Sequence, residues 1–420
     1  MLRRLDSRSS IWRRVERAVA MASLLGALAA GAHGTTATPA REPIRDIGVQ
    51  SGLRVEQRSY AVRARDVDGD GRRDLLFVHH TGPTELFRST SSGFELQATF
   101  VDETHGENDR HDCAWGDVDL DGRLDLYCVK GARVGTAEKH NELWMQQPDG
   151  TFVDRAGAFR VVDRWGRGRR TEFLDLNGDA FPDLFVGNAF PRRDGRPTPN
   201  RTFLNVQGER FRRADMGLTR EAGASCVDVG DFDDDGSDDL LICEKRGLRL
   251  YLRRQGGFVD ATGAFGIPER AVAWARSHDL DRDGALDLVT ITERRLTVRL
   301  RVGAGRFDRP SLRLPLEMGH AVEIADIDGR AGADLLVVQG CVDGVNVDDL
   351  VLLNDGTARI WQQHSTPGDV PGCGDVAATL DFDRDGAIEF VVMNGGGQGQ
   401  PLSPVGPDQL LTMGDWPQGP

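Results

Sequence analysis

The sequence predicts an all-β fold, a seven-bladed β-propeller closed by an N-terminal strand added to the last blade. Three observations predict it. A nine-residue acidic formula, D-x-D-x-D-G-x-x-D, recurs seven times, each copy runs directly into an apolar strand, and the segment at 44–53 copies one that ends an internal repeat. The copies start at Asp66, Asp117, Asp175, Asp231, Asp279, Asp326 and Asp381, with gaps of 51, 58, 56, 48, 47 and 55 residues. A period of that size marks a repeat architecture in which each unit is one supersecondary element.

Within a unit four short strands are readable. In the second they are Cys113–Val118, Leu124–Val129, Glu142–Gln146 and Phe152–Asp154, and third strands recur at Leu248–Leu252, Leu296–Leu300 and Leu350–Leu353. Phe94, Phe152, Phe211, Phe258, Phe307 and Ile360 open the fourth strands. Seven loops but six such openings leave the last sheet one strand short. IRDIGVQSGL at 44–53 mirrors FVDATGAFGI at 258–267, so Ile44–Ile47 is expected beside Gln409–Met413, leaving no sheet edge unpaired at the seam.

The acidic formula carries the chemistry. Acids at positions 1, 3 and 5 of a tight loop converge, position 7 offers a backbone carbonyl, and the acid at position 9 closes an oxygen shell of the kind calcium prefers. The expected ligands are Asp66, Asp68, Asp70, Arg72 and Asp74; Asp117, Asp119, Asp121, Arg123 and Asp125; Asp175, Asn177, Asp179, Phe181 and Asp183; Asp231, Asp233, Asp235, Ser237 and Asp239; Asp279, Asp281, Asp283, Ala285 and Asp287; and Asp381, Asp383, Asp385, Ala387 and Glu389, with position 7 always acting through its carbonyl. Glycine at position 6 supplies a positive φ, and the invariably apolar position 2 pegs each loop into a core. The third loop, with Asn177 and Ala180, is expected to bind more weakly. In the sixth, Arg330 replaces the third carboxylate and substitutes for the ion. That makes about six Ca²⁺ ions and one vestigial loop. Acid-rich surface turns are the plain alternative, but turn chemistry does not require three aligned carboxylates that repel one another.

The charge balance agrees. The net charge is -14; residues 1–32 contribute six Arg against Asp6 and Glu16, a net +4, which leaves -18 for the rest. A chain so acidic is self-repelling without cations and unsuited to nucleic acid. Arg13, Arg14 and Arg17 precede an apolar run, Ala18–Ala32, too short to span a bilayer. It reads as a signal peptide over 1–32 followed by a linker at 33–43, then the propeller at 44–415 and a tail at 416–420. The expected address is secreted, periplasmic or cell-envelope, with no membrane span. Six cysteines fit export. Cys113 and Cys128 sit at -4 and +11 from Asp117, and Cys226 and Cys243 at -5 and +12 from Asp231. Both offsets sum to +7, one pairing register on antiparallel strands, so Cys113–Cys128 and Cys226–Cys243 are predicted as cross-strand disulfides. Cys341–Cys373 is the remaining pair.

The segments DVDGDGRRDLL, DVDLDGRLDLY, DFDDDGSDDLL, DLDRDGALDLV and DFDRDGAIEFV, with FVDxxGAF at Phe152 and Phe258, resemble the FG-GAP/VCBS repeat family. That family includes the integrin-alpha-like propellers and those of the cartilage acidic protein type. The resemblance spans about 44–415, without the literal Gly-Ala-Pro and without the C-terminal module of the cartilage type. It implies calcium in the hairpin loops and a binding or adhesion role.

Basic residues gather between strands two and three and between blades: Lys130, Arg133, Lys139 and His140; Arg164, Arg167, Arg169 and Arg170 around Trp165; and Arg192, Arg193, Arg196 and Arg201. Arg164, Trp165, Arg167, Arg169, Arg170, Arg192 and Arg193 are the candidate ligand-binding set, a cationic rim for an acidic glycan or protein partner. A second reading is an extracellular polysaccharide-active enzyme, a lyase or hydrolase. His79, His80, His105, His111, His278 and His320 carry no recognisable catalytic signature, so no catalytic residue is assigned. A third is a structural scaffold without small-molecule ligand.

Overall fold

The computed structural model describes residues 44–413, apart from 54, 56, 58, 81, 102–108, 132–139, 190–194, 196–197, 219–222, 246, 268–271, 304, 331, 367–372, 383, 385, 387 and 395–406. The expected leader, linker and tail, and the whole glycine stretch Gly395–Gly399, lie outside the described residues.

Seven four-stranded antiparallel sheets form the fold, and no helix occurs among the described residues. Blade 1 comprises Ser59–Arg65, Asp74–His79, Thr84–Thr90 and Gly93–Phe100; blade 2, Arg110–Gly116, Asp125–Lys130, Glu142–Gln146 and Phe152–Asp154; blade 3, Gly168–Leu174, Asp183–Asn188, Arg201–Val206 and Arg210–Ala214. Blade 4 follows with Val227–Gly230, Asp239–Glu244, Gly247–Arg254 and Gly257–Asp260, blade 5 with Trp274–His278, Asp287–Thr292, Arg295–Val302 and Arg306–Pro315, and blade 6 with Gly319–Ala325, Asp334–Gln339, Leu350–Asn354 and Trp361–Ser365. Blade 7 has Val376–Leu380, Glu389–Met393 and Gln409–Thr412, with Arg45–Asp46 as the fourth strand. The first strands contact one another in a closed cycle from blade 1 to blade 7 and back, which is the ring of a propeller.

Second strands are apolar runs because both their faces are covered by neighbouring blades. Leu75–Val78, Leu126–Val129, Leu240–Ile242 and Leu335–Val338 are all fully buried. The position 2 residues are buried pegs as expected: Val118, Phe232, Leu280 and Phe382 are at 0% exposure. Ile360 differs. It is exposed, and Trp361 opens the fourth strand of blade 6 in its place.

Blade 6 also carries a two-stranded ribbon, Cys341–Val342 with Val345–Asn346, between its second and third strands. The Cys341–Cys373 disulfide ties the base of that ribbon to the approach of blade 7. The other two bridges join Cys113 to Cys128 and Cys226 to Cys243. Cys113 and Cys128 are direct register partners, and Cys243 N–H donates to the Cys226 carbonyl at 3.0 Å, as one shared register demands.

Segment 44–53 makes a set of bonds that parallels 258–267. Ile47 N–H donates to Leu410 O as Ala261 does to Leu250 O, and Phe94 N–H donates to Ser51 O as Phe307 does to Phe265 O. Arg45 and Asp46 pair with Thr412 and Leu411. Ile47 is 2% exposed. Truncation of a residue so placed is expected to cost about 2–5 kcal/mol, so Ile47→Ala should shift the chemical denaturation midpoint strongly. A change within about 0.5 kcal/mol, typical of surface sites, would show that this segment is not part of the closed ring.

Candidate functional site

Each acidic loop joins strands one and two of its blade, so all seven lie on one face. The loop turns twice through left-handed backbone. Position 6 has the expected positive φ, at 84° for Gly71, 87° for Gly122, 80° for Gly236 and 88° for Gly284, and Ala180 takes 69° in the third loop. Position 4 is left-handed in every copy too, and there glycine is not the rule: Leu120, Asp234, Arg282 and Arg384 adopt φ of 58–63°. A side chain in that region costs about 1–2 kcal/mol. Strain held at the same position of repeated loops goes with the convergence of their carboxylates.

Backbone N–H groups then fix the carboxylates. Gly71, Gly122, Ala180, Gly236 and Gly284 donate to the position 1 aspartate at 2.8–3.0 Å, and the N–H of position 7 donates to the position 5 aspartate at 2.8–3.0 Å. The result is compact. Asp66, Asp68 and Asp70; Asp117, Asp119 and Asp121; Asp231, Asp233 and Asp239; and Asp279, Asp281 and Asp287 each bring one oxygen within 4.8 Å of the others. Three carboxylate oxygens so close fit a hard divalent cation of the calcium class. Asp281 is pushed above the usual carboxylate range by burial and by Asp283.

The position 9 acid has a role that the spacing did not reveal. One of its oxygens accepts the N–H of position 2 at 2.8–3.1 Å, in Asp74, Asp125, Asp183, Asp239, Asp287, Asp334 and Glu389 alike. The other accepts from the third strand: from the N–H of Ser89, Gln146, Asn205, Arg253, Arg301 and Asn354 at 2.7–2.9 Å, and from Thr412 Oγ1 in blade 7. The same third-strand residues reach the preceding blade. Asn205 donates to Val118 O, Arg253 to Asp175 O, and Asn354 to Leu280 O, at 2.8–2.9 Å. Position 9 therefore locks loop, blade and neighbour together, and Asp239 and Asp287 also bring an oxygen into the cluster of their own loop. Burial raises Asp74, Asp125, Asp239 and Asp334 to about 6, and Asp183 and Asp287 to about 7; the two N–H bonds oppose the rise and nearby loop carboxylates add to it.

Arginines stand at several loop mouths. Arg88 contacts Asp68 at 2.5 Å, Arg123 pairs with Asp121, and Arg254 pairs with Asp233 and, at 3.1 Å, with Asp235. In the third loop the Asn177 amide donates to Asp179. In the sixth, Arg330 donates its backbone N–H to Asp328 Oδ1 at 2.9 Å. Asp383, Asp385 and Ala387 of the last loop lie outside the described residues.

Among the described residues, the basic set is divided between exposed and buried side chains. Trp165 is exposed at 44% and Arg164 is exposed, but Arg167 and Arg170 are buried at 9% and 6%. Arg170 lies on the first strand of blade 3 and stacks on Trp274 of blade 5 at 4.7 Å, across the axis of the ring. The spacing read these arginines as loop residues because the first strand starts at Gly168, ahead of the acidic loop by more than the formula shows. Arg192 and Arg193, with Arg133, Lys139 and Arg196, lie outside the described residues. Lys130 is buried against Glu142, which also takes Arg110 in a two-pronged pair at 2.6 and 2.9 Å.

The axial channel is lined by charges that pair across blades. Arg63 holds Asp112 at 2.7 Å and Glu172 at 2.9 Å, and Arg276 holds Glu323 at 3.1 Å and packs on Trp274 at 5.0 Å. Burial pushes Glu172, Glu323 and Asp228 up, against the pull of the arginines. Burial works against the Arg63 cation as well, and Asp112 and Glu172 more than offset it. These pairs line a cavity in the middle of the ring. His79 is buried between Ser59 and Glu85.

Repeat geometry and loop chemistry define a class, the acidic-loop propellers. Residues 66–128 and 175–242 match the family model described as FG-GAP-like repeat, so FG-GAP-like repeats are carried on a seven-bladed propeller. It is similar to cartilage acidic protein 1 of Xenopus tropicalis, 24% identical over 393 residues, and to those of Homo sapiens, 24% over 387, and Mus musculus, 25% over 394. Each match takes in 83% of this chain, and the chain spans under three fifths of the human relative, at 58%, and 59% of the other two. Among solved structures, an Agrocybe aegerita lectin that recognises non-reducing terminal N-acetylglucosamine superposes with a TM-score of 0.52 at 17% identity, covering 75% of this chain and 81% of its own. BBS1N, solved in complex with ARL6DN, gives 0.53 at 12% identity, covering 89% and 97%. These two likenesses concern the fold alone.

The raised position 9 acids set a pH dependence. Their folded values, about 6 to 7, exceed the unfolded aspartate value of 3.8, so in this range the native state binds more protons than the unfolded chain and stability falls as pH rises. In chelator, the melting temperature should drop between about pH 4 and pH 7 and level off above that. A melting temperature that climbs steadily over the same window in chelator would contradict the burial of these groups.

Proposed function

We propose that this protein is a secreted, calcium-stabilised binding module that acts in adhesion or in the recognition of extracellular glycans or proteins. The observation that carries the reading is the recurrence of one preset carboxylate cluster at equivalent corners of the ring. Asp66, Asp68 and Asp70; Asp117, Asp119 and Asp121; Asp231, Asp233 and Asp239; and Asp279, Asp281 and Asp287 would hold one ion each. The loops at Asp175 and Asp381 are the further candidates, and the sixth loop, with Arg330 at position 5, is the vestige. Bound cations would neutralise the carboxylates and release the arginines at the loop mouths. The residues named do the positioning: position 2 anchors the loop, position 9 spans it to the third strand, and the backbone N–H groups orient positions 1 and 5.

Three disulfides suit an oxidising compartment, and among the described residues no helix is long and apolar enough to cross a membrane. The similarity to cartilage acidic protein supports an extracellular binding role. Among the described residues of the candidate ligand-binding set, Arg164 and Trp165 are exposed, and they are the contacts proposed for such a partner.

A ligand at 100 times its Kd stabilises by about 2.7 kcal/mol per site, so removing calcium with EDTA should lower the melting temperature markedly and calcium should restore it. An unchanged melting point would remove the cation from the account. Asp231→Asn with Asp233→Asn should reduce the calcium count by one ion per chain, measured by elemental analysis after dialysis.

For the ligand face, a glycan array in calcium buffer is expected to give hits that Trp165→Ala with Arg164→Ala abolishes without a change in thermal stability. Hits that survive the double variant would place the contact elsewhere.

A further inference from the structure

The acidic loops leave unused a second cluster, on the opposite face of the ring. His80 follows the second strand of blade 1, and Asp109 and His111 flank the start of the first strand of blade 2 at Arg110. Two blades thus bring together two imidazoles and a carboxylate. The Nε2 atoms of His80 and His111 lie 3.1 and 3.2 Å from one atom, Asp109 Oδ1, and a ligand atom from each of the three residues falls within 4.8 Å of the others.

The rings are held by packing. Tyr60 lies against both imidazoles, at 4.5 and 4.6 Å between centroids, and the imidazoles meet edge to face at 5.2 Å. Gly131 closes the cluster from the far side of blade 2. A Cβ at that position would stand 2.2 Å from His111 Nε2 and 2.9 Å from Asp109 Oδ1, and its φ is not in the left-handed region. Glycine is required there by the closeness of those two ligand atoms and not by backbone conformation.

We propose that His80, Asp109 and His111 form a site for one divalent transition-metal ion of the zinc class, separate from the acidic loops. Two nitrogen donors and one carboxylate suit such an ion, whereas calcium takes oxygen alone. Ligand atoms about 2.0–2.1 Å from a shared ion and roughly 90–110° apart are separated by about 2.9–3.4 Å. The two imidazole–carboxylate spacings already lie in that range, and the two imidazole nitrogens, within 4.8 Å of each other, close on the ion as the shared protons leave. Side-chain exposure of 29% at His80 and 12% at Asp109 leaves an approach from solvent. Three protein ligands leave a coordination position open. Arg169 is near enough to His111 to repel positive charge there, which weakens the bare ion but favours an anionic group, a carboxylate or phosphate, in the open position.

The test uses the full chain without an affinity tag, kept in excess calcium, and titrated with Co²⁺ while the visible absorption is followed. One Co²⁺ per chain, displaced by Zn²⁺, is the expected result. His80→Ala and Asp109→Ala should each weaken binding by more than about 100-fold, beyond the roughly 10–100-fold cost of losing an outer partner. Gly131→Ala should abolish binding by filling the space beside the ligand atoms. His80 is partly exposed, so its variant keeps the test valid if the glycine variant does not fold. Absence of stoichiometric Co²⁺ binding, or equal binding by His80→Ala, overturns the proposal. Calcium loss in Asp231→Asn with Asp233→Asn should leave the Co²⁺ titration unchanged, so the two metal assignments succeed or fail separately.

Discussion

The structure depends on one repeated contact, a buried carboxylate at the end of each acidic loop that accepts one backbone N–H from the loop and one hydrogen bond from the third strand. Asp183 shows it in full: Leu176 N–H and Asn205 N–H both donate to it, and the Asn205 side chain continues to Val118 O in the blade before. A buried N–H without a partner is costly. The carboxylate satisfies two such groups at the point where the sheet turns back on itself, so it is a joint of the ring. Its raised proton affinity is the electrostatic consequence of placing a charge there beside other acids.

The same arrangement gathers the acids of the loop into a cluster. Left-handed residues at positions 4 and 6 curl the chain so that N–H groups point inward at positions 1 and 5, and the acids are held close. Arginines such as Arg88 and Arg254 take up part of the negative charge. The two ends of the ring thus differ in chemistry. One face carries hard oxygen donors in repeated clusters, and the other carries imidazoles, arginines and Trp165, while the paired charges around Trp274 line the axis between them.

Much of the fold was readable because the repeat imposes period on every signal. The apolar pegs at position 2, the cysteine offsets about Asp117 and Asp231, and the order of strands in blade 2 are all local features, and all reappear in the structure. The ribbon at Cys341–Asn346 was not readable, since it breaks the period once. The burial of Arg170 was missed for a related reason: its partner, Trp274, is two blades away, and arginine beside arginine reads as a solvated loop. His80, Asp109 and His111 gave no motif because their spacing crosses a blade boundary.

Sequence alone determined the number of units, the acidic corners and the cross-strand bridges, because each arises from residues within one repeat whose spacing fixes their geometry. Only the tertiary structure decided what meets across repeats. Ring closure sets which first strands face the axis, which N–H groups reach the position 9 carboxylate, and which imidazoles come together. Those contacts depend on how far each blade is rotated against the next, a quantity set by side-chain packing between sheets and carried by no local pattern.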